Sequence, residues 1–389
     1  MKKLLSLSCY TFLLIGFMHI MIGSLLPSIL SYYGKTYTDG GTLIAIQSLG
    51  LFVGVGLSSL CANKIGRRWT IVFSCGLVAI SQAVFALLLP WAWWLLFVFI
   101  AGIGFGVIEP LIGALIIDTI KKNTAVAFSK LEVYFGLGSL ITPIVSGWLA
   151  TTGNWRFSFL LLAVYALSIS VVWMKLSFGE LNEALKRSQL AISESKGKKT
   201  THKSLYFGFI FFFAVYVGVE VSFMNFLPSM LVHQLNTGTF QATFSVTLFW
   251  GAMVVGRLIA GHIAEKISYA RFLLGSSIFT VVFLFWTGTV HQLWGIYVLV
   301  FLVGLMMSGI FGIAMVYANR ILPGPTSRNT SVFIAAGAVG SVILPIVTGL
   351  IMDYLSTFLV AVALAVLSCY MVIFIYRIQK VSIERRSGY

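Results

Sequence analysis

Apolar runs of about 20 residues or longer follow one another along almost the whole chain, separated by short stretches of charged and turn-forming residues. A helix of about 20 apolar residues is long enough to cross the hydrocarbon core of a bilayer. Charged residues make up 10% of the 389 residues, whereas soluble proteins carry about 25%. The runs do not show the ten-residue alternation of outer-membrane strands. We therefore predict an all-α integral membrane protein.

Twelve such runs are predicted, and an even number returns the chain to the side of the membrane where it begins. The predicted spans before the middle of the chain are 5–31, 41–62, 69–90, 92–119, 124–149 and 157–177. Those after it are 204–232, 240–263, 270–290, 293–319, 329–352 and 355–377.

One long polar stretch divides the twelve runs into two sets of six. It covers residues 178–203 and is rich in Lys, Glu and Ser, with almost no bulky apolar residues. Such a segment cannot bury enough apolar surface to form a core. We predict an N-terminal six-helix bundle at 1–177, a linker at 178–203 and a C-terminal six-helix bundle at 204–389.

The net charge of +15 raises the possibility of nucleic-acid binding, but the positions of the charges argue against it. Among the loops, Lys35 and Arg156 fall on one side of the predicted membrane, and the remaining basic clusters fall on the other. This asymmetry is the positive-inside bias. It predicts that both termini and the linker lie in the cytoplasm, and we expect the membrane to be a bacterial inner membrane.

The two sets of six spans are copies of one another. Gly138–Gly147 (GSLITPIVSG) recurs as Gly340–Gly349 (GSVILPIVTG), with seven of ten residues identical at an offset of 202. At the same offset, Asn63-Lys64-Ile65 corresponds to Glu265-Lys266-Ile267. The matches indicate a parallel duplication of a six-span unit.

The whole chain resembles a major facilitator superfamily transporter. The resemblance rests on the two parallel halves and on a motif after the second span, which comprises Asn63, Lys64, Gly66, Arg67 and Arg68, with a second copy at Glu265 and Lys266. Trp155-Arg156-Phe157 is similar to a further loop motif of that family. The family's motif has Asp where this chain has Asn63, so the charge interaction of that Asp is absent at this position. The resemblance implies two bundles related by a pseudo-twofold axis, alternating access, and a cytoplasmic gate at the motif.

A second resemblance is narrower. Tyr216-Val-Gly-Val-Glu220, Phe249-Trp250-Gly251 and Gly256-Arg257-Leu258 are similar to the fucose/glucose (FHS-type) branch of sugar:cation symporters. It implies symport of a sugar with a proton or sodium. An alternative is a proton-coupled exporter of drugs or a hydrophobic metabolite, because Gly138–Gly147 loosely resembles a fifth-span pattern of antiporters. A non-transporting receptor on the same fold is a third possibility.

An ionisable side chain inside hydrocarbon is costly, so each one is a candidate functional group. Glu109 shares a helical face with Gly102, Gly106 and Gly113, and His19 lies between Gly16 and Gly23. Faces of this kind pack closely on a neighbouring helix or line a cavity. We predict that Glu109, His19 and Glu132 carry cation or proton coupling. The alternative for each is a structural hydrogen bond.

The predicted substrate site combines an acid with aromatic rings. Glu220 lies four residues after Tyr216 and three before Phe223, which places the three on one helical face. A carboxylate accepts hydrogen bonds from sugar hydroxyls, while aromatic faces suit a sugar ring or a cation. The predicted substrate-binding residues are Glu220, Tyr216, Asn225, Gln47, Tyr134, Trp250 and Phe223. Arg257 and Asp118 are predicted to be helix-end residues, with Arg257 paired to Glu265.

The sequence shows no nucleotide-binding loop, no cluster of metal ligands and no nucleophile–base pair. A linker of this length cannot fold a nucleotide-binding domain. We therefore expect no enzyme activity and no cofactor. The expected partners are a small-molecule substrate, a proton or sodium ion and the lipid bilayer, with the protein as a monomer.

Overall fold

A computed structural model describes residues 2–120, 124–177, 203–322 and 326–387. All of the regular secondary structure in these ranges is helical. Twelve of the helical stretches there are long and apolar enough to cross a membrane. The predicted all-α membrane fold with twelve spans is confirmed. The predicted linker lies outside the described residues up to position 202.

The helices begin and end within a few residues of most predicted boundaries. The first six helices are α1 (Lys2–Tyr33), α2 (Tyr37–Ile65), α3 (Arg67–Ala86), α4 (Trp91–Thr119), α5 (Thr124–Thr151) and α6 (Arg156–Lys175). After the linker come α7 (Lys203–Leu235), α8 (Thr239–Ile267), α9 (Tyr269–Thr289), α10 (Leu293–Met307), α11 (Ile310–Ile321), α12 (Thr326–Tyr354) and α13 (Thr357–Ser387).

The described residues divide into two compact units. The first comprises those within Met1–Lys35, Thr42–Ser193 and Gly238–Thr247, and the second those within Thr36–Gly41, Glu194–Thr237 and Leu248–Tyr389. In the first unit α1 packs on α5, and α3 packs on α4 and α6. In the second unit α7 packs on α12, and α9 packs on α10 and α13.

The duplication seen in the sequence extends to the helix boundaries. The helices α2, α3 and α4 begin 202 positions before α8, α9 and α10, respectively. Even the turn residues match, because Gly34 and Asn236 both have positive φ, as do Gly66 and Ser268. An equivalent position in the other half can therefore be assigned to most residues of either half.

Glycines bring the paired helices of each unit into backbone contact. A Cβ at Gly16 would lie 2.1 Å from the carbonyl oxygen of Phe135, and one at Gly138 would lie 2.5 Å from that of Leu13. At the equivalent of Gly138 in the second unit, a Cβ on Gly340 would lie 1.8 Å from the Ala214 carbonyl oxygen. Only residues without a side chain allow helices in a membrane to approach so closely.

The tenth span departs from the prediction of one continuous helix at 293–319. The helix α10 ends at Met307, and α11 begins at Ile310 after a break at Ser308 and Gly309. Hydrophobicity is uninterrupted across this point, which is why the sequence pattern predicts a single helix. A Ser–Gly pair is a recognised cause of helix interruption.

Candidate functional site

The helix break of the tenth span lies beside Tyr216. The last carbonyls of a helix lack intrahelical donors, and the Tyr216 hydroxyl donates to the Met307 carbonyl oxygen at 3.0 Å. Tyr216 is 1% exposed, so this bond is shielded from solvent. Broken helices with bonded, buried ends are a recurring feature of transporter binding sites.

Glu220 joins the same group of side chains. Tyr216 and Glu220 lie one turn apart on α7, and the Tyr216 hydroxyl is in hydrogen-bonding contact with the half-buried Glu220 carboxylate. The hydroxyl carries one proton, so it donates either to the Met307 carbonyl or to an ionised Glu220. If Glu220 were protonated, its carboxyl group would donate to the Tyr216 hydroxyl oxygen. The Tyr216 proton would then stay on the bond to the Met307 carbonyl, so both bonds could form at once.

Arg257 on α8 supplies the opposite charge. Its guanidinium attracts the Glu220 carboxylate and lies over the Trp250 ring, 5.7 Å from the centroid. The prediction of a helix-end ion pair with Glu265 is replaced by this arrangement. Glu265 lies eight residues further along α8, which corresponds to about 12 Å of helix, whereas Trp250 lies two turns in the other direction and meets the side chain.

The neighbouring helix backbone is held close to this group. A Cβ at Gly256 would lie 2.1 Å from the hydroxyl oxygen of Ser308, so α8 packs directly on the helix break. Ser308 itself is buried and donates to the Leu305 carbonyl oxygen at 2.7 Å. We call Tyr216, Glu220, Trp250 and Arg257 the central cluster of the second unit. Sequence reasoning could have located it from the Ser308-Gly309 pair within an apolar span.

Two predicted substrate-binding residues serve packing in this structure. Phe223 is fully buried against Phe249, with ring centroids 5.8 Å apart. Asn225 is buried, and its side-chain amide donates to the Val221 carbonyl oxygen one turn back on its own helix at 2.8 Å. Both residues therefore support α7 in these contacts. The Asn225 amide is directed at its own helix and not at the central cluster.

In the first unit, the glycine face that includes Glu109 packs against α2. A Cβ at Gly102 would lie 2.3 Å from the carbonyl oxygen of Gln47, and one at Gly106 would lie 2.0 Å from that of Leu51. Of the two roles predicted for this face, close helix packing is the one observed. Glu109 is half-buried beside it, and Gln47 contributes its backbone to the contact.

His19 lies among aromatic residues of α4 and α5. Its ring meets Phe105 at a centroid distance of 5.9 Å and Phe135 at 5.5 Å. Phe105 is one turn from Glu109, and Phe135 is three residues from Glu132. His19 of α1 therefore contacts the two helices that carry the other predicted coupling residues, Glu109 on α4 and Glu132 on α5.

Tyr134 lies apart from that aromatic pair. Its ring makes an edge contact with Tyr10, at a centroid distance of 5.7 Å. Tyr10 is 45% exposed, and its carbonyl oxygen accepts a hydrogen bond from the Tyr165 hydroxyl at 2.9 Å. Tyr134 thus belongs to a tyrosine group near the beginning of α1.

The two arginines of the predicted gate motif contact other helices of the first unit. Gly66 adopts a φ of 82°, which turns the chain sharply between α2 and α3. Arg67 is 2% exposed and pairs with Asp118 near the end of α4. Asn63 and Lys64 are exposed, as are Glu265 and Lys266 in the second copy. Within the motif, Arg67 is thus the side chain that is paired with an acid, and that acid is Asp118 on α4.

Arg68 closes the same end of the unit. Its guanidinium donates to the carbonyl oxygens of Trp173, Met174 and Leu176 at 2.8, 2.7 and 2.7 Å, respectively. These are the carbonyls at the end of α6, which have no intrahelical donors. Arg68 therefore acts as a cap between α3 and α6.

The fold and the repeats agree with known proteins. The family model "Major Facilitator Superfamily" matches residues 9–324 and 208–388. The Bacillus subtilis glucose/mannose transporter GlcP is 29% identical over 87% of this chain and 85% of its own. A Brucella abortus glucose/galactose transporter is 25% identical over 88% of this chain and 86% of its own.

Solved structures show the same architecture. A crystal structure of a D-xylose-proton symporter matches with a TM-score of 0.72 at 15% identity, covering 96% of this chain and 95% of that one. The nucleoside transporter NupG matches with a TM-score of 0.78 at 12% identity, over 97% and 98% of the two chains. At these identities the likeness concerns the fold alone. The chain belongs to the Major Facilitator Superfamily of membrane transporters.

Proposed function

We propose that this protein is a cation-coupled symporter of a hexose. The observation that carries the proposal is the central cluster, which sets an acid, a guanidinium and two aromatic rings beside a broken helix. The similarity to transporters named for glucose, mannose and galactose supports a sugar as the substrate.

The members of the central cluster have different roles in this proposal. Arg257 is exposed and Glu220 is half-buried, so these two present polar groups to the substrate. A carboxylate accepts hydrogen bonds from sugar hydroxyls, and a guanidinium donates to hydroxyl and ring oxygens. Tyr216 and Trp250 are nearly fully buried, so they hold Glu220 and Arg257 in position. Of the remaining predicted residues, Asn225 and Phe223 support α7, while Gln47 and Tyr134 make packing contacts within the first unit.

The first unit carries the coupling ion in this proposal. His19 contacts Phe105 and Phe135, and Glu109 and Glu132 lie within four residues of these two phenylalanines on their respective helices. Binding of a proton or sodium there would control which orientations of the transport cycle are allowed, and the sugar site would alternate between the two sides of the membrane. We further propose a monomer with bundles at 1–177 and 204–389 and with both termini in the cytoplasm.

Substitutions of the polar pair test the sugar site. We expect Glu220→Gln and Arg257→Gln to raise the KM for uptake by about tenfold, because each removes one charge-assisted hydrogen bond to the sugar. Arg377→Gln is the matched control, since it removes an exposed arginine of the same unit elsewhere. Unchanged KM in both variants would contradict the proposed site.

Substitution of Glu109 tests coupling. We expect Glu109→Gln to abolish gradient-driven accumulation while leaving exchange of labelled for unlabelled sugar, because exchange needs no net movement of the ion. Full accumulation by this variant in proteoliposomes would exclude Glu109 as the coupling group. Export of toxic compounds with no uptake of any sugar would favour the drug or metabolite exporter.

A further inference from the structure

A cavity lies in the second unit beside the second copy of the motif, at Glu265. Its volume is about 710 Å³, and it lies between the end of α8, the start of α9, the end of α11 and Gln379 of α13. The first unit shows what occupies the equivalent region there. Comparing the two copies position by position explains why the second has a cavity.

The side chain that fills this region in the first unit is missing from the second. Arg68 spans the gap between α3 and α6 by donating to three carbonyls at the end of α6. Its equivalent, 202 positions later, is Ala270. Ala270 lines the cavity together with Gln379, the equivalent of Ser177 just after α6. The cavity therefore lies where a guanidinium lies in the first unit.

The charge on the facing helix is also reversed. In the first unit Arg67 and Asp118 neutralise one another. Their equivalents are Tyr269 and Arg320, and the Arg320 guanidinium lies over the Tyr269 ring, 4.5 Å from its centroid. An internal ion pair has become a cation stacked on an aromatic ring, and an aromatic ring leaves the charge of the guanidinium intact.

A second guanidinium and a helix end add to the positive character. Arg271, the equivalent of Trp69, lines the cavity and is exposed. Residues Ser268 to Arg271 form one part of the cavity wall and include the first residues of α9, where the helix dipole favours an anion. Glu265 is the acidic residue among those that line the cavity.

We propose that this cavity binds a phosphate-bearing anion between Arg271 and Arg320. Two guanidiniums offer paired donors that match phosphate oxygens, and the volume accommodates a phosphate with a small substituent. The ligand is the phosphate group of an anionic phospholipid headgroup or of a soluble phosphate compound. The residues that line this cavity are not members of the central cluster, so the proposal stands whichever sugar is transported.

Binding to the purified full-length protein in detergent tests the proposal. The probes are inorganic phosphate, measured by equilibrium dialysis, and water-soluble dihexanoyl phosphatidylglycerol, measured as a thermal shift, with dihexanoyl phosphatidylcholine as the uncharged reference. Ligands that bind the folded state raise its apparent stability. We expect Arg271→Gln with Arg320→Gln to weaken binding by about tenfold or more, because two charge-assisted contacts are lost.

Two further variants distinguish binding inside the cavity from non-specific binding to positive charge. Lys175→Gln with Arg377→Gln removes the same charge from exposed positions at 202-residue spacing, and we expect it to bind like the wild type. Ala270→Trp occupies part of the cavity without changing charge, and we expect it to lose binding while retaining the monodisperse elution and the thermal midpoint of the unliganded wild type.

The outcomes divide clearly. Saturable binding of both phosphate and phosphatidylglycerol, lost in the arginine and Ala270 variants, would support a site for the phosphate group itself. Binding of phosphatidylglycerol alone, with the same losses, would identify a lipid headgroup. The proposal would be overturned if neither probe bound saturably. It would also be overturned if the Lys175/Arg377 control lost as much binding as the Arg271/Arg320 variant.

Discussion

Replacement of Gly340 by alanine tests how closely the backbones of α7 and α12 pack against one another. The new Cβ would lie 1.8 Å from the Ala214 carbonyl oxygen, 2.7 Å from its carbon and 3.0 Å from its Cα. Ordinary contact begins at 3.4 Å, so the backbones must move apart by about 1.6 Å. Backbone atoms cannot rotate away as the end of a flexible side chain can.

The energetic consequence follows from two opposing effects. Overpacking of this kind costs about 1–3 kcal/mol, whereas alanine is favoured over glycine within a helix by about 1 kcal/mol. We therefore expect Gly340→Ala to lower the free energy of unfolding by up to about 2 kcal/mol. The separation of α7 from α12 also changes the packing around Tyr216, so transport should fall together with stability.

The assay is thermal unfolding of purified protein in one detergent, followed by tryptophan fluorescence. Gly275→Ala is the matched control, because Gly275 lies inside α9 and an added Cβ there meets nothing within 4 Å. We expect Gly340→Ala to melt below the wild type and Gly275→Ala to melt at or above it. A Gly340→Ala protein as stable as the Gly275→Ala protein would refute the close backbone packing.

Three further substitutions test local features, each by the same thermal assay. Ser268→Gly should stabilise the protein by about 1 kcal/mol, because a φ of 91° is strained for any residue with a Cβ; a loss of stability would contradict the turn. Asp118→Asn should destabilise by about 2 kcal/mol, because it leaves the buried Arg67 without its acid; a neutral effect would show that the pair is dispensable. Tyr216→Phe should cost about 1 kcal/mol through the lost bond to the Met307 carbonyl, and full stability with unchanged uptake would argue against its positioning role.

Much of the fold could be predicted because membrane spans are determined by local composition. Apolar runs end at charged and turn residues, so predicted boundaries such as 41–62 and 92–119 lie close to the observed Tyr37–Ile65 and Trp91–Thr119. The break at Ser308-Gly309 was not predicted, since hydrophobicity does not change there and the Ser–Gly pair is the one local signal for it. The Tyr216 hydroxyl and Gly256 contact this break from neighbouring helices.

The site was predicted in part, for a related reason. Helical spacing correctly placed Tyr216 and Glu220 together, because residues four apart share a face of one helix. The spacing carries no information about which other helix faces them, so the position of Arg257 over the Trp250 ring and its attraction to Glu220 could not be derived. The repeat was recognised from residues that are identical in the two halves. The cavity beside Ala270 lies where the two halves differ, so the repeat did not predict it.

The most direct test of the account is uptake of labelled hexoses and 6-deoxyhexoses by transport-deficient cells that express this protein. The same uptake is then measured with a protonophore and with sodium replaced by potassium. We predict that at least one sugar accumulates above its external concentration. We also predict that removing one of the two gradients, that of the proton or that of sodium, abolishes this accumulation. Absence of uptake of every sugar by protein that is folded and present in the membrane would contradict sugar symport.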